Sequence, residues 1–350
     1  HSKYFQSTPL EGPFQVSNNH VNFLPSKRKI SGIKQSRIMF LYKNIGIGYG
    51  NMSHWWGPGF HSAISLSSNA RSQETYFIGT NKDIKIGRFS FASQLIAMPY
   101  KSSENNELFF SGLRSSFSIH SKSTVITLGF NRTYLSGNFS DLSTMTNQKK
   151  WTIMDATQLV FEPLFGQNKK DLNYTIPGTP GFDIWDELLT GFVKIKFLDE
   201  NIEIYADIAS DDNRGNFTDL RSHWDHTLGY QLGFKKFTKF NRFKLFTGIE
   251  FLSTRVSNTF NPDFYRGDPN SANFYTKIIY DYFSIDGRRM GAHSGTSSDD
   301  LIFINGLARG SSMLFISYNR ERHGIKTMNN PEIKTEISAT YKINYNKNFS

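Results

Sequence analysis

Two pairs of adjacent carboxylates stand out, Asp211–Asp212 and Asp299–Asp300. Paired acids serve glycoside hydrolysis when their carboxyls stand roughly 5–10 Å apart. Adjacent residues in a polar loop do not hold that spacing, and both pairs sit in such stretches, SDDNRGNFTD and HSGTSSDD. They read as turn residues or as acceptors for sugar hydroxyls. The histidines give no stronger signal. His54 and His61 flank a tryptophan pair, and HWDH places His223 and His226 around Trp224 and Asp225. An HxxH with an Asp can hold zinc, but no HExxH and no third ligand at a defined spacing is present, so no metal site is expected. There is no GxSxG, GKS or GKT, so neither a nucleophile elbow nor a cofactor motif is read. With no cysteine in the chain, thiolate chemistry and disulfides are excluded.

The formal net charge is +10, but the basic residues are scattered and form no long arm, which argues against nucleic acid. The denser runs lie at 26–29, 235–244 and 287–291. The most unusual local feature is Trp55-Trp56 before Gly57-Pro58-Gly59, in a chain with five tryptophans in all. Pro58 donates no N–H and the two glycines permit unusual φ, so the chain turns or bulges there. The stretches on either side, IGIGYGNM and AISLSSNAR, read as strands. Physics alone leaves two readings open for the indoles: a girdle at membrane headgroup level, or a flat platform for a pyranose ring inside a lumen.

These residues must be held by something, and the chain's periodicity says what. Apolar residues alternate with polar ones at period two. Ile202, Ile204, Ala206 and Ile208 oppose Glu203, Tyr205 and Asp207. Leu228, Tyr230, Leu232 and Phe234 oppose Gly229, Gln231 and Gly233, and Phe243, Leu245, Ile249 and Phe251 oppose Lys244, Gly248 and Glu250. Ile126, Leu128, Phe130 and Tyr134 oppose Thr127, Gly129, Asn131 and Thr133, with Arg132 interrupting the apolar side. The final run, 333–345, alternates over thirteen residues, enough for a tilted membrane-crossing strand, which needs roughly 9–11. Long polar connections alternate with short ones such as KKFTKFN. Charges fall mid-strand on the polar side, at Glu203, Asp207, Glu250, Lys334, Glu336 and Lys342. A wide barrel with a watery lumen accommodates them at little cost, whereas a dry core does not. The expectation is an all-β fold, an antiparallel transmembrane β-barrel of roughly 12–16 strands, forming one domain over 1–350. One segment reads as a short helix, DIWDELLTGF at 183–192, after a Pro- and Gly-rich turn and with Asp183 as N-cap.

Three ordered segments carry a family resemblance. WWGPGFHSAISLSSNAR at 55–71 resembles the WWGPG motif and following SNAR strand of the Wzi family of capsule assembly proteins. YADIASDDNRG at 205–215, with LGYQLGF after it, and YFSIDGRRMGAHSGTSSDD at 282–300 are similar to later segments of that family. The resemblance implies an outer-membrane barrel with a lectin-like role and no enzymatic activity. Its partners would be capsular or exopolysaccharide and the surrounding lipid, with the chain a monomer. Roughly 50 residues precede WWGPG; the family implies more, so N-terminal strands are expected to be missing from this stretch. The chain also ends on Ser350 rather than on an aromatic residue. On this reading Trp55 and Trp56 stack on sugar or wall off the lumen, and Gly57, Pro58 and Gly59 set the turn. Arg71, Arg288 and Arg289 pair with acidic sugar carboxylates, for which a planar guanidinium is suited. Asp211 and Asp212 accept sugar hydroxyls. The alternative function is a porin-like uptake channel.

Overall fold

A computed structural model describes residues 35–101, 107–138, 186–211, 228–255, 274–275, 283–285, 288–325 and 331–343. Its strands are β1 (Ser36–Tyr42), β2 (Ile45–Met52), β3 (Gln73–Thr80), β4 (Ile84–Ile86), β5 (Phe89–Lys101), β6 (Glu107–His120), β7 (Thr124–Asn138) and β8 (Asp186–Phe197). There follow β9 (Ile202–Asp211), β10 (Leu228–Phe240), β11 (Phe243–Ser253), β12 (Ser284–Ile285), β13 (Arg288–Arg289), β14 (Asp299–Arg309), β15 (Ser312–His323) and β16 (Glu332–Ile343). One sheet holds fourteen of them in the order β1-β2-β3-β5-β6-β7-β8-β9-β10-β11-β14-β15-β16, with β4 added to β5. Neighbours pair antiparallel throughout, as along β9, β10 and β11. The all-β expectation holds, and the fourteen sheet strands among the described residues fall within the expected range. β12 and β13 form a separate two-stranded hairpin.

The side-chain period sorts chemistry to two faces. Along β9, Tyr205, Asp207, Ala209 and Asp211 are buried, while Ile204 and Ile208 are exposed. In β10 and β11 the same holds for Gln231 and Glu250 against Leu232 and Ile249. The outer face is therefore an apolar surface that also carries Leu128, Leu301, Phe303, Leu307, Ile316 and Ile337. That surface is what lipid requires. Arg132, which interrupts the apolar side of β7, is neutralised there by an ion pair to Glu187 of β8.

Connections alternate in length. The β1–β2, β10–β11 and β14–β15 turns have two residues each, and Lys43, Asn241 and Gly310 adopt the left-handed conformation in them, with φ of 53°, 51° and 57°. The strand at 228 runs on to Phe240, so the KKFTKFN stretch is mostly strand and the turn is only Asn241–Arg242. Because neighbours run antiparallel, these short turns share one rim, and the strand ends at Met52, Asp211 and Ser253, from which the long connections leave, share the other. The short-turn rim is aromatic and basic. Lys43 Nζ lies 5.5 Å from the Tyr42 ring centre, and Arg88 and Arg309 each lie 5.3 Å from the rings of Phe89 and Phe243. Such pairs suit headgroup level, where an aromatic ring meets hydrocarbon and a cation meets phosphate.

The long-connection half is filled. The backbone oxygen of Trp55 accepts from Arg114 of β6 at 3.3 Å, and His61 meets Asn319 of β15 at 2.7 Å. β6 and β15 are seven steps apart in the sheet order, which is ~34 Å if flat. Six residues cover at most ~21 Å even fully extended, and this segment is folded back, since the Trp55 ring N–H donates to Gly59 O at 2.9 Å. The sheet curls around the segment. One apolar cluster confirms the curvature: wall residues Phe77, Ile96, Phe110, Leu188, Ala209 and Leu252 join Trp56, Ile64, Tyr275, Phe283 and Met290 from the inserted segments.

Two expectations fail. The segment at 183–192 is not a helix where it is described: from Asp186 it is β8, paired with β7 and β9. Its Leu188 faces inward to meet the inserted core and its Phe192 is buried over Gly129 of β7, so both faces are apolar and the period of two is hidden. AISLSSNAR is not a strand either. It makes a single bridge, Trp56 with Leu66, and its Ile64 O and Ser67 N meet Tyr275 and Met290 of the other inserted segments.

An outward charge tests the lipid face. Ile249→Arg should cost about 2–4 kcal/mol in urea unfolding of protein refolded into vesicles. Lys239→Gln, on the inner side of the short-turn rim, should stay within about 0.5 kcal/mol.

Candidate functional site

The turn at Gly57-Pro58-Gly59 points the backbone N–H groups of Phe60, His61 and Ser62 at the wall. All three meet one carboxylate, Glu250 of β11, at 2.7, 3.3 and 2.7 Å. Tyr205 of β9 donates its hydroxyl to the same carboxylate. Glu250 is 2% exposed, so these four donors replace the water it has lost. Gln231 of β10 completes the clamp by donating to Ser62 O at 2.8 Å. The approach is close enough to require glycine: a Cβ on Gly59 would stand 2.0 Å from Ser62 O and 2.3 Å from Gln231 Nε2. Gly57 turns with φ 151°, against Ala63 and Asp207.

The return of the segment is pinned in the same way. Ser65 Oγ lies 3.0 Å from Thr190 Oγ1 of β8. Asp211 accepts from the Tyr275 backbone N–H, and the Tyr275 hydroxyl donates to Ile64 O. Burial pushes the Tyr275 phenol well above its ordinary range, so it stays a neutral donor. Ser67 N donates to Met290 O at 2.6 Å and Asn69 Nδ2 to Arg289 O at 3.0 Å, which ties 66–70 to the β12–β13 hairpin.

The candidate residues divide by accessibility. Trp56 is 1% exposed and sits in the core against Gly112, where a Cβ would stand 2.8 Å from the indole. Its ring is closed off by protein and offers no face to a sugar. Trp55 is partly exposed, with its ring N–H committed to Gly59 O. Arg71 and Arg288 are exposed, whereas Arg289 is 2% exposed. Asp211 closes β9 rather than lying in a loop, and it is buried against Tyr275. Asp299 and Asp300 likewise open β14. Asp212, and His223 and His226, lie outside the described residues. A small pocket beside Arg71 is lined by Ser53, His54, Ser67, Gln73 and Met290.

The lumen is not uniformly watery. Asp207 and Glu250 are dry beneath the inserted segment, while Glu203, toward the short turns, stays partly exposed between Lys196 at 3.1 Å and Lys235 at 2.5 Å. Burial pushes the His54 ring down to about 4, and the nearby Arg114 cation adds to this. His61, His293 and Asp300 come together from distant parts of the chain, with ligand atoms within 4.8 Å of one another. Burial opposes protonation of His293, but the Asp300 carboxylate beside it outweighs burial and raises the ring's pKa. No short-range motif announces this group.

Two outcomes follow. Glu250→Ala removes the shared acceptor and should expose 53–72 to protease while the barrel still resists SDS at room temperature. His54 is neutral when folded down to about 4, but an unfolded histidine takes its proton near about 6.5. The unfolded state therefore binds more protons between those values, and stability falls as pH drops from about 6.5 to about 4, by about 3 kcal/mol in total. His54→Gln should flatten that dependence, read by Trp fluorescence during urea unfolding at stepped pH.

A family model described as capsule assembly protein Wzi matches residues 14–350. Among solved structures, Wzi of Escherichia coli superposes with a TM-score of 0.64 at 12% identity. That protein is described as an outer-membrane, carbohydrate-binding β-barrel involved in group 1 capsule assembly. The match covers 90% of this chain and 64% of that one, so the chain spans less than two thirds of its length. At that identity the likeness speaks to fold. TodX, a toluene transporter of Pseudomonas putida, matches at TM-score 0.31 and 10% identity, over 79% of this chain and 74% of its own. LpxR of Salmonella typhimurium matches at 0.25 and 8%, over 79% and 90%. Scores that low carry no argument. Comparison with curated protein sequences finds no match. The family match over nearly the whole chain agrees with the shared barrel fold, and the chain belongs to the capsule assembly protein Wzi family.

Proposed function

We propose that this chain is a single-domain, monomeric outer-membrane barrel that binds surface polysaccharide and holds it for capsule or exopolysaccharide assembly. The observation that carries the reading is the inserted segment at the long-connection rim. In outer-membrane barrels that rim faces outward from the cell, toward the polymer. There Arg71 and Arg288 are exposed on segments joined through Asn69 and Arg289, with Trp55 partly exposed on the same inserted chain. Guanidinium groups suit sugar carboxylates, and an indole face suits the apolar face of a pyranose. Trp56, Asp211 and Arg289 shape this surface from beneath. The role is binding without catalysis: Asp211 and Asp299 are engaged with Tyr275 and Ser253. Two readings of the lumen compete, and the dry packing around Glu250 favours a closed barrel over a porin-like channel.

The test is a pull-down of the detergent-purified barrel with the host's own polysaccharide. Arg71→Ala and Arg288→Ala should each weaken binding about tenfold, the loss of one charge-assisted contact. Trp55→Ala should weaken it with the barrel still SDS-resistant. Unchanged binding in the triple variant would sink the site, and strong conductance in planar bilayers would favour the channel.

A further inference from the structure

We propose that His61, His293 and Asp300 form a binding site for one divalent transition-metal ion of the zinc class, which fastens the inserted segments to the barrel wall. Nε2 of His293 lies 3.1 Å from Asp300 Oδ2, and Nε2 of His61 lies 3.3 Å from the same oxygen. Ligands held ~2.0–2.1 Å from a tetrahedral zinc stand ~3.3 Å apart. These two separations match edges of a coordination tetrahedron, all three ligand atoms lie within 4.8 Å of one another, and the rings are crossed at 85° with centres 4.6 Å apart. A second observation points the same way. Asp300 is 2% exposed, yet neither of its oxygens receives a well-aligned hydrogen bond. A buried carboxylate in that condition needs a cation, which a protonated imidazole across these contacts or a metal ion supplies.

The donor set selects the metal class. Two imidazoles and one carboxylate suit zinc and its neighbours, whereas calcium and magnesium take oxygen ligands. The surroundings fit a cation. Glu321 Oε1 lies 3.8 Å from His293 Nε2, adding negative charge behind the site. Lys334 is itself held on Glu321 Oε1 at 2.8 Å, and His323 on Oε2 at 3.0 Å. The two histidine side chains are 23% and 21% exposed, and the Asn319 amide, 2.7 Å from His61 Nε2, swings aside to free that nitrogen for the ion. The three ligands come from three different pieces: the 53–72 insertion, the 290–298 return and strand β14. One ion would cross-link all three, whatever the outer surface binds.

The experiment uses the full chain, refolded in detergent without a polyhistidine tag, stripped with EDTA and then freed of it. Titration with ZnCl2, followed by calorimetry and native mass spectrometry, should show one equivalent bound and a higher unfolding temperature. Co(II) in its place should give the intense visible bands of a tetrahedral site. His61→Gln and His293→Gln should each abolish uptake, while His120→Gln, on the wall against Ser90, should not. Should the variants fail to fold, the wild type still decides. Zinc should protect His61 and His293, but not His120, from diethylpyrocarbonate. No stoichiometric zinc on the folded wild type, or full uptake in both ligand variants, would overturn the proposal.

Discussion

Everything the inserted segment does depends on one buried negative charge. Glu250 sits on the inner face of the wall with almost no contact with solvent. Alone there it would be strongly unfavourable. The backbone of 60–62 supplies three donors and Tyr205 a fourth, and those backbone N–H groups in turn have no strand partner. Each side leaves the other unsatisfied if removed. This mutual requirement explains the Gly-Pro-Gly sequence better than a turn alone does. The turn must bring three successive N–H groups to one point, and Gly59 must let the backbone lie against Gln231.

The barrel was legible because its rule is local. A period of two is written into every few residues, and the facing of Glu203, Tyr205, Asp207, Gln231 and Glu250 follows from it. It becomes illegible where the lumen is filled, because wall residues there must be apolar on the inside as well. Leu188 and Phe192 are the example: they pack inward, erase the alternation and imitate a helix. The insertion itself is illegible for a different reason. Its small and polar residues look strand-like, but its partners are Glu250, Gln231, Thr190 and Tyr275, which no local pattern reveals. The same distance hides the meeting of His61 with His293 and Asp300. The resemblance carried by WWGPG and SNAR supplied the family, and the structure divided the tryptophan pair that the motif presents as a unit.

That division also corrects the picture of the lumen. Mid-strand charges do not all face water. Along β9 the inner face passes from a partly exposed Glu203, shared by two lysines, to a dry Asp207 and Asp211. The barrel thus has a polar, accessible half toward the short turns and a packed half toward the long connections. Trp56 belongs wholly to the packed half, so its contribution to any surface is to hold Trp55, Arg71 and the hairpin of Arg288 and Arg289 in place.

The contact between His61 and Asn319 joins residues 258 apart in sequence. Strand pairing in the sheet is sequential, so hairpins can close one after another with short loops and little entropy lost at each step. The insertion cannot follow that schedule. It leaves the sheet after β2 but finds its last partners only when β14 and β15 arrive. Non-local closure of this kind is slow relative to local pairing. The wall therefore has to be nearly built around a chain segment that is not yet fixed, and the surface the insertion presents is the final part of the molecule to take shape.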